Sequence, residues 1–220
     1  MNASPKDLII SLAGETVHLL PEKALYWPSE KTLFIADIHI GKGVTLRKNG
    51  FAIPGNDTLN NLQRLGQLLN RLHVERLVIL GDFFHHKTGI SDDTNQHLQE
   101  FRDSISQIDW WLIRGNHDRR AGEPLQDLRI DCFDPGLTVG PFVLLHEPEP
   151  HEKGYGLAGH IHPGVALSGM AHERLRLPCF AQTQHFMILP AFGELTGLWT
   201  DLADAVCYPI ADHCVFDRVS

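Results

Sequence analysis

Four apolar runs in this chain end in short clusters of Asp, His and Asn, and this arrangement limits the fold more than any other feature. Thr32 to Ala36 runs into Asp37-Ile38-His39, and Arg76 to Leu80 into Gly81-Asp82. Trp110 to Ile113 leads to Gly115-Asn116-His117-Asp118, and Phe142 to Leu145 to His146. A fifth cluster, Gly159-His160-Ile161-His162, follows. Strand ends of an α/β sheet are where loops gather into one crevice, so residues far apart in sequence converge there. The side chains that converge offer carboxylate and amide oxygen and imidazole nitrogen, with no thiolate. That inventory is enough for two metal ions.

The segments between the clusters predict the rest of the architecture. Leu8 to Leu12, Thr16 to Leu20, Ala24 to Trp27 and Thr32 to Ala36 read as short strands, punctuated by Gly14, Pro21 and Pro28. Leu59, Leu62, Leu65, Leu68, Leu69 and Leu72 recur every three or four residues and predict an amphipathic helix, with Asn56 or Asp57 as N-cap. A strand at Leu77 to Leu80 follows, then a second helix from about Asp92 to Ser106 and the strand that delivers Asn116 and His117. This alternation predicts a partly parallel sheet with crossover helices. From Arg129 onward, short strand-like runs spaced by Gly and Pro predict a second sheet packed on the first. With 220 residues and 43% hydrophobic content, one domain spanning residues 1–220 is expected.

Charge narrows the function. A formal net charge of −8 excludes a protein that grips nucleic acid through a broad basic surface, so any such contact must be local. Basic side chains do gather beside the clusters: Lys42, Arg47 and Lys48 after the first, His85, His86 and Lys87 after the second, and Arg114, Arg119 and Arg120 around the third. Lys42, Arg47 and His85 are the candidates for holding a phosphate. Cys132, Cys179, Cys207 and Cys214 are scattered, without a C-x-x-C, as expected of buried thiols in a reducing compartment. No apolar run approaches the ~20 residues of a bilayer span, and the first residues lack the order of a signal peptide. A cytoplasmic protein without membrane contact is expected.

The i, i+2 pairs Asp37/His39 and His160/His162 suggest extended backbone, where alternate side chains share a side and Ile38 and Ile161 turn into the core. The glycines before Asp82, Asn116 and His160 provide for close approach or positive φ. Any one block alone could be an ordinary turn. All five in this order resemble the calcineurin-like metallophosphoesterase superfamily, whose pattern runs D-x-H, G-D, G-N-H-D/E, H, G-H-x-H. The resemblance implies a four-layer α/β/β/α sandwich of two mixed sheets with flanking helices. It also implies two divalent ions, one held by Asp37, His39, Asp82 and His162, the other by Asp82, Asn116, His146 and His160, with Asp82 bridging. In such a site a metal-activated water attacks phosphorus. His117, directly after Asn116, is the candidate to assist the leaving group, with Asp118 expected to orient it.

Two flanking stretches, Leu33 to Lys42 and Leu189-Pro190-Ala191-Phe192-Gly193, resemble the bacterial ligase-associated DNA damage response endonuclease family, PdeM. That resemblance implies a manganese-dependent phosphodiesterase and endonuclease acting on single-stranded or looped DNA in repair, associated with a DNA ligase, an exonuclease-like protein and a helicase. The acidic total keeps a phosphodiesterase or phosphatase of small nucleotides as the alternative. A non-catalytic scaffold of the same fold would be expected to have lost ligands or His117, and none is lost here.

Overall fold

The computed structural model of the chain describes residues 6–121, 126–168, 174–202 and 204–218. The chain opens as an antiparallel meander of β1 (Leu8–Leu12), β2 (Glu15–Leu20), β3 (Ala24–Trp27) and β4 (Thr32–Ile35), its strands falling where the Gly and Pro punctuation expects them. β4 is then joined in parallel by β5 (Arg76–Ile79), β6 (Asp109–Ile113) and β7 (Ile130–Phe133), completing a seven-stranded mixed sheet. Parallel neighbours require crossovers. These are α1 (Lys42–Lys48) with α2 (Asp57–Arg71), then α3 (Asp92–Ser104), and finally α4 (Asn116–Ala121).

The predicted leucine stripe buries as expected: Leu62, Leu65, Leu68 and Leu69 of α2 face the sheet. Asn56 stands at the N-cap position, yet its side chain makes no capping hydrogen bond. Ser91 caps α3 instead in the ordinary way, its Oγ accepting from the amide of Thr94. α1 and α4 were not legible as helices. At seven and six residues they are too short to show a period.

The second sheet takes its strands from β8 (Leu137–Val139), β9 (Phe142–Leu144), β10 (Tyr155–Ala158), β12 (Arg174–Gln182), β13 (Phe186–Ile188), β14 (Val206–Ala211) and β15 (Cys214–Val215), with β11 (Gly164–Ser168) paired to β12. Its centre, β9, β10 and β13, is parallel and its margins antiparallel. The two sheets pack face to face. Leu33, Ile35, Leu77 and Ile79 point to α2 and α3, whereas Phe34, Ala36, Val78 and Leu80 meet Phe142, Leu144, Leu157 and Met187 between the sheets. Strands buried on both faces read as unbroken apolar runs, which explains the sequence signature.

All four α-helices of the described residues lie before residue 122, among the strands of the first sheet. On the outer face of the second sheet, Cys179, Ala181, Ile188 and Cys207 are packed by Ile161, Val165, Leu202 and Ala205. The fold is therefore a sandwich of two mixed sheets with helices over the first and loop and hairpin over the second, among the described residues. No described helix is long and apolar enough to cross a membrane.

Candidate metal centre

Each polar cluster sits just beyond the carboxyl end of a parallel strand: β4 for Asp37 and His39, β5 for Asp82, β6 for Asn116 and His117, β9 for His146 and β10 for His160 and His162. The sheets are stitched together at this edge. The amides of Phe192 and Gly193 donate to the carbonyls of Ala36 and Asp37. Residues up to 125 positions apart, Asp37 and His162, thereby share one crevice.

Two groups of ligand atoms form there, each within 4.8 Å of one another: Asp37, His39 and His162, and Asp82, His146 and His160. In the first, the Nε2 atoms of His39 and His162 are 3.4 Å apart, and Asp37 Oδ1 lies 3.8 Å from His162 Nε2. In the second, His146 Nε2 is 3.0 Å from both Asn116 Oδ1 and His160 Nδ1, and 3.4 Å from Asp82 Oδ1. The groups abut, because the amide of His160 donates to Asp37 Oδ2 at 2.8 Å. All seven residues of the motif are thus brought together, Asn116 beside the second group.

The backbone that aims them is not the extended chain expected of the i, i+2 pairs. Asp37, His39, Asp82, His160 and His162 all have φ between 51° and 71°. In this left-handed region each non-glycine residue costs roughly 1–3 kcal/mol. The paired side chains converge because both residues of each pair make the same tight turn. Main-chain bonds from Asp37 to Gly81 and from His39 to Asp82 hold those turns in place. The glycines serve close approach. A Cβ on Gly81 (φ +83°) would collide with the His146 ring, one on Gly115 with the Asp82 carboxylate, and one on Gly159 with Ala36 and Asp37 at 2.6 Å.

Electrostatics tell the same story. Burial, reinforced by the neighbouring Asp82 carboxylate, raises the Asp37 carboxyl well above its usual range. Burial, then the charge of Lys42, pushes the His39 imidazole far down and that of His162 to about 4. Neutral imidazoles are metal ligands, and buried carboxylates that repel one another are short of a counter-cation. Asp37 Oδ1 and His39 Nδ1 are buried without a hydrogen-bond partner. Mixed oxygen and imidazole donors of this kind fit divalent first-row ions.

The remaining candidates separate. His117 is half-buried, its Nδ1 bound to the carbonyl of His85 at 2.6 Å and its Nε2 3.9 Å from Asp82 Oδ2. The His85 ring stacks on it at 4.9 Å, and burial lowers the His85 pKa to about 4. Lys42 is partly buried beside Asp37 and Asp82; burial lowers its pKa and their charges partly restore it.

Two expectations are corrected. Asp118 does not orient His117: its Oδ2 accepts from the amides of Asp82 and Gly115, and its Oδ1 from that of Phe84. Both residues lie on α4, where neighbours diverge by about 100°, so Asp118 braces two loops while a main-chain carbonyl orients the imidazole. Arg47 is likewise engaged elsewhere, donating to the carbonyl of Pro54 at 2.8 Å and pairing with Asp57. Sequence reasoning also missed the carbonyl of Leu80, which lies 3.1 Å from His146 Nδ1. Main-chain partners leave no side-chain signal.

The model of the calcineurin-like phosphoesterase family matches residues 30–169. The crystal structure of nuclease MPE from Pseudomonas putida is similar throughout, with 38% identity over 97% of this chain and 100% of that one and a TM-score of 0.86. Two more distant structures are a protein of unknown function, AQ665, from Aquifex aeolicus and the phosphoesterase YfcE from E. coli. The first is 21% identical over 60% of this chain and 78% of its own, the second 14% over 86% and 97%. Both have TM-scores of 0.44 and add nothing to the argument. Among curated proteins no match is found.

Proposed function

This chain belongs to the calcineurin-like phosphoesterase family, and within it we propose that the protein is a dinuclear metal-dependent phosphodiesterase that cuts single-stranded or looped DNA as an endonuclease. The carrying observation is the pair of abutting ligand groups in a chain similar over its whole length to a nuclease. We assign Asp37, His39, Asp82 and His162 to one ion and Asp82, Asn116, His146 and His160 to the other, with Mn²⁺ suited to four imidazoles among oxygens. When bound, the ions would supply charge neutralisation at the phosphate and a water of lowered pKa.

The protein's own groups do the rest. His146 donates its Nδ1–H to the Leu80 carbonyl, which leaves the Nε2 lone pair facing Asn116 and His160. His117 is fixed in the same way by the carbonyl of His85, so Nε2 is the nitrogen left free to exchange a proton with the leaving oxygen. Lys42 brings positive charge to the rim of the first group, where a phosphate oxygen would lie, and His85 flanks His117 there. The net charge of −8 leaves little to grip a duplex, so a single flexible strand is the fitting polymer. The PdeM resemblance supports a place in bacterial DNA repair, with a ligase, an exonuclease-like protein and a helicase as proposed partners.

Closed circular single-stranded DNA tests this directly, since only an endonuclease opens a strand without ends. Nicking should vanish with chelator and return more fully with Mn²⁺ than with Mg²⁺, which dehydrates reluctantly and prefers oxygen ligands. Hydrolysis of nucleotide diesters with no cutting of the circle would sink the endonuclease reading.

A further inference from the structure

Most large apolar side chains of this protein are buried, but Trp199 is 55% exposed. Its position is fixed by the candidate metal centre itself. The segment 193–199 begins with the Gly193 amide bonded to the Asp37 carbonyl and ends with the Trp199 amide bonded to that of His162 at 3.0 Å. It is an arch that starts and finishes on residues of the first ligand group. Inside the arch, Thr196 Oγ1 donates to the Gly193 carbonyl. At its end, the Gly164 amide donates to the Trp199 carbonyl at 2.9 Å. A Cβ on Gly164 would come within 2.9 Å of the Leu198 Cβ, so this close seating depends on glycine.

The indole is anchored as well. Its Nε1–H donates to the Asp201 carbonyl at 2.8 Å, so the one polar edge of the ring is satisfied within the protein while the side chain stays open to solvent. Ile9, Phe51, Leu167, Leu175 and Phe216 are also exposed. Among the described residues of this kind, only Trp199 has its main chain bonded to a candidate metal ligand.

We propose that Trp199 is a stacking platform for a nucleobase of the DNA strand lying across the metal centre. This inference rests on the endonuclease reading and deepens it. A chain with a net charge of −8 has to hold its polymer by something other than a basic groove. An aromatic face does so without sequence preference, because every base has a π-face. It also selects the strand: bases in a duplex are already stacked on each other, whereas those of a single strand or a loop are free to meet the indole. Rigid anchoring suits the role, since little side-chain freedom is lost when a base lands on it.

The test pairs the variant Trp199→Ala with removal of the bases. On an oligodeoxythymidylate, Trp199→Ala should raise KM about 5- to 100-fold, the span that alanine substitution at stacking positions produces, and Trp199→Phe should recover most of the loss. On an oligomer of equal length carrying stable tetrahydrofuran sugars in place of every base, wild type and Trp199→Ala should share one KM. Equal KM values for the two proteins on the oligodeoxythymidylate would overturn the proposal and leave the endonuclease reading intact. An equal penalty with and without bases would overturn it too, by making Trp199 a structural or protein-binding residue. Failure of the wild type to cut either oligomer while it hydrolyses a nucleotide diester would remove the endonuclease reading and this inference with it.

Discussion

Around His146 the ligand atoms are already engaged with one another and with the main chain: Nδ1 meets the Leu80 carbonyl, while Nε2 meets Asn116 and His160 at 3.0 Å each. Around His39 the polar atoms are left over. Asp37 Oδ1 and His39 Nδ1 have no partner although both are buried. Turned backbone aims ligands in both groups, but His146 is also braced from behind by a carbonyl, whereas His39 Nδ1 has nothing behind it. The difference teaches that a shared crevice does not mean equal organisation. A ligand held from behind is oriented before the ion arrives, so the group around His146 should bind its ion more tightly than the group around His39.

The largest expected effect would remove the carboxylate proposed to serve both groups. Asp82→Ala should reduce phosphodiesterase activity to background and leave fewer than two metals per chain, read by elemental analysis of the purified variant. Two ions retained per chain would mean that Asp82 is not shared. His117→Ala should lower turnover by about 10²–10⁴-fold, the range of a positioned acid–base group, yet keep both metals, because its main-chain amide still donates to Asp82 Oδ1. An ester with p-nitrophenol as leaving group should be partly spared. Loss of metal would place His117 among the ligands instead.

A smaller effect sharpens the contrast between the groups. Gly81→Ala puts a methyl group against the His146 ring at a backbone φ of +83°. It should weaken the tighter ion about 10- to 100-fold, the usual cost of disturbing a ligand's support, with the weaker ion little changed in a metal titration. An effect confined to the weaker ion would reverse the ranking.

Much of this was legible in the sequence, for physical reasons. Polar residues that follow strands buried on both faces stand out against their apolar neighbours, so the clusters and the strand ends that carry them could be read directly, and the family resemblance then implied which seven side chains are ligands. The leucine spacing of α2 was equally plain. What escaped depends on backbone. Left-handed turns at Asp37 and His39 carry only a weak signature, because Asp and His favour that region more than other non-glycine residues yet mostly lie outside it, and the carbonyls that orient His117 and His146 belong to His85 and Leu80 only by geometry. Adjacency misled at Asp118, since the helix that turns its carboxylate toward the Asp82 and Phe84 amides spans six residues and carries no period. Arg47 read as a phosphate ligand because its partner Asp57 lies ten positions away on another helix.

Titration of the metal-free protein with Mn²⁺, followed by calorimetry, tests the central claim most directly. The account predicts two ions per chain in two resolved steps, with Gly81→Ala weakening the first of them. A wild-type protein that takes up a single ion, or two in one indistinguishable step that Gly81→Ala leaves unchanged, would contradict it.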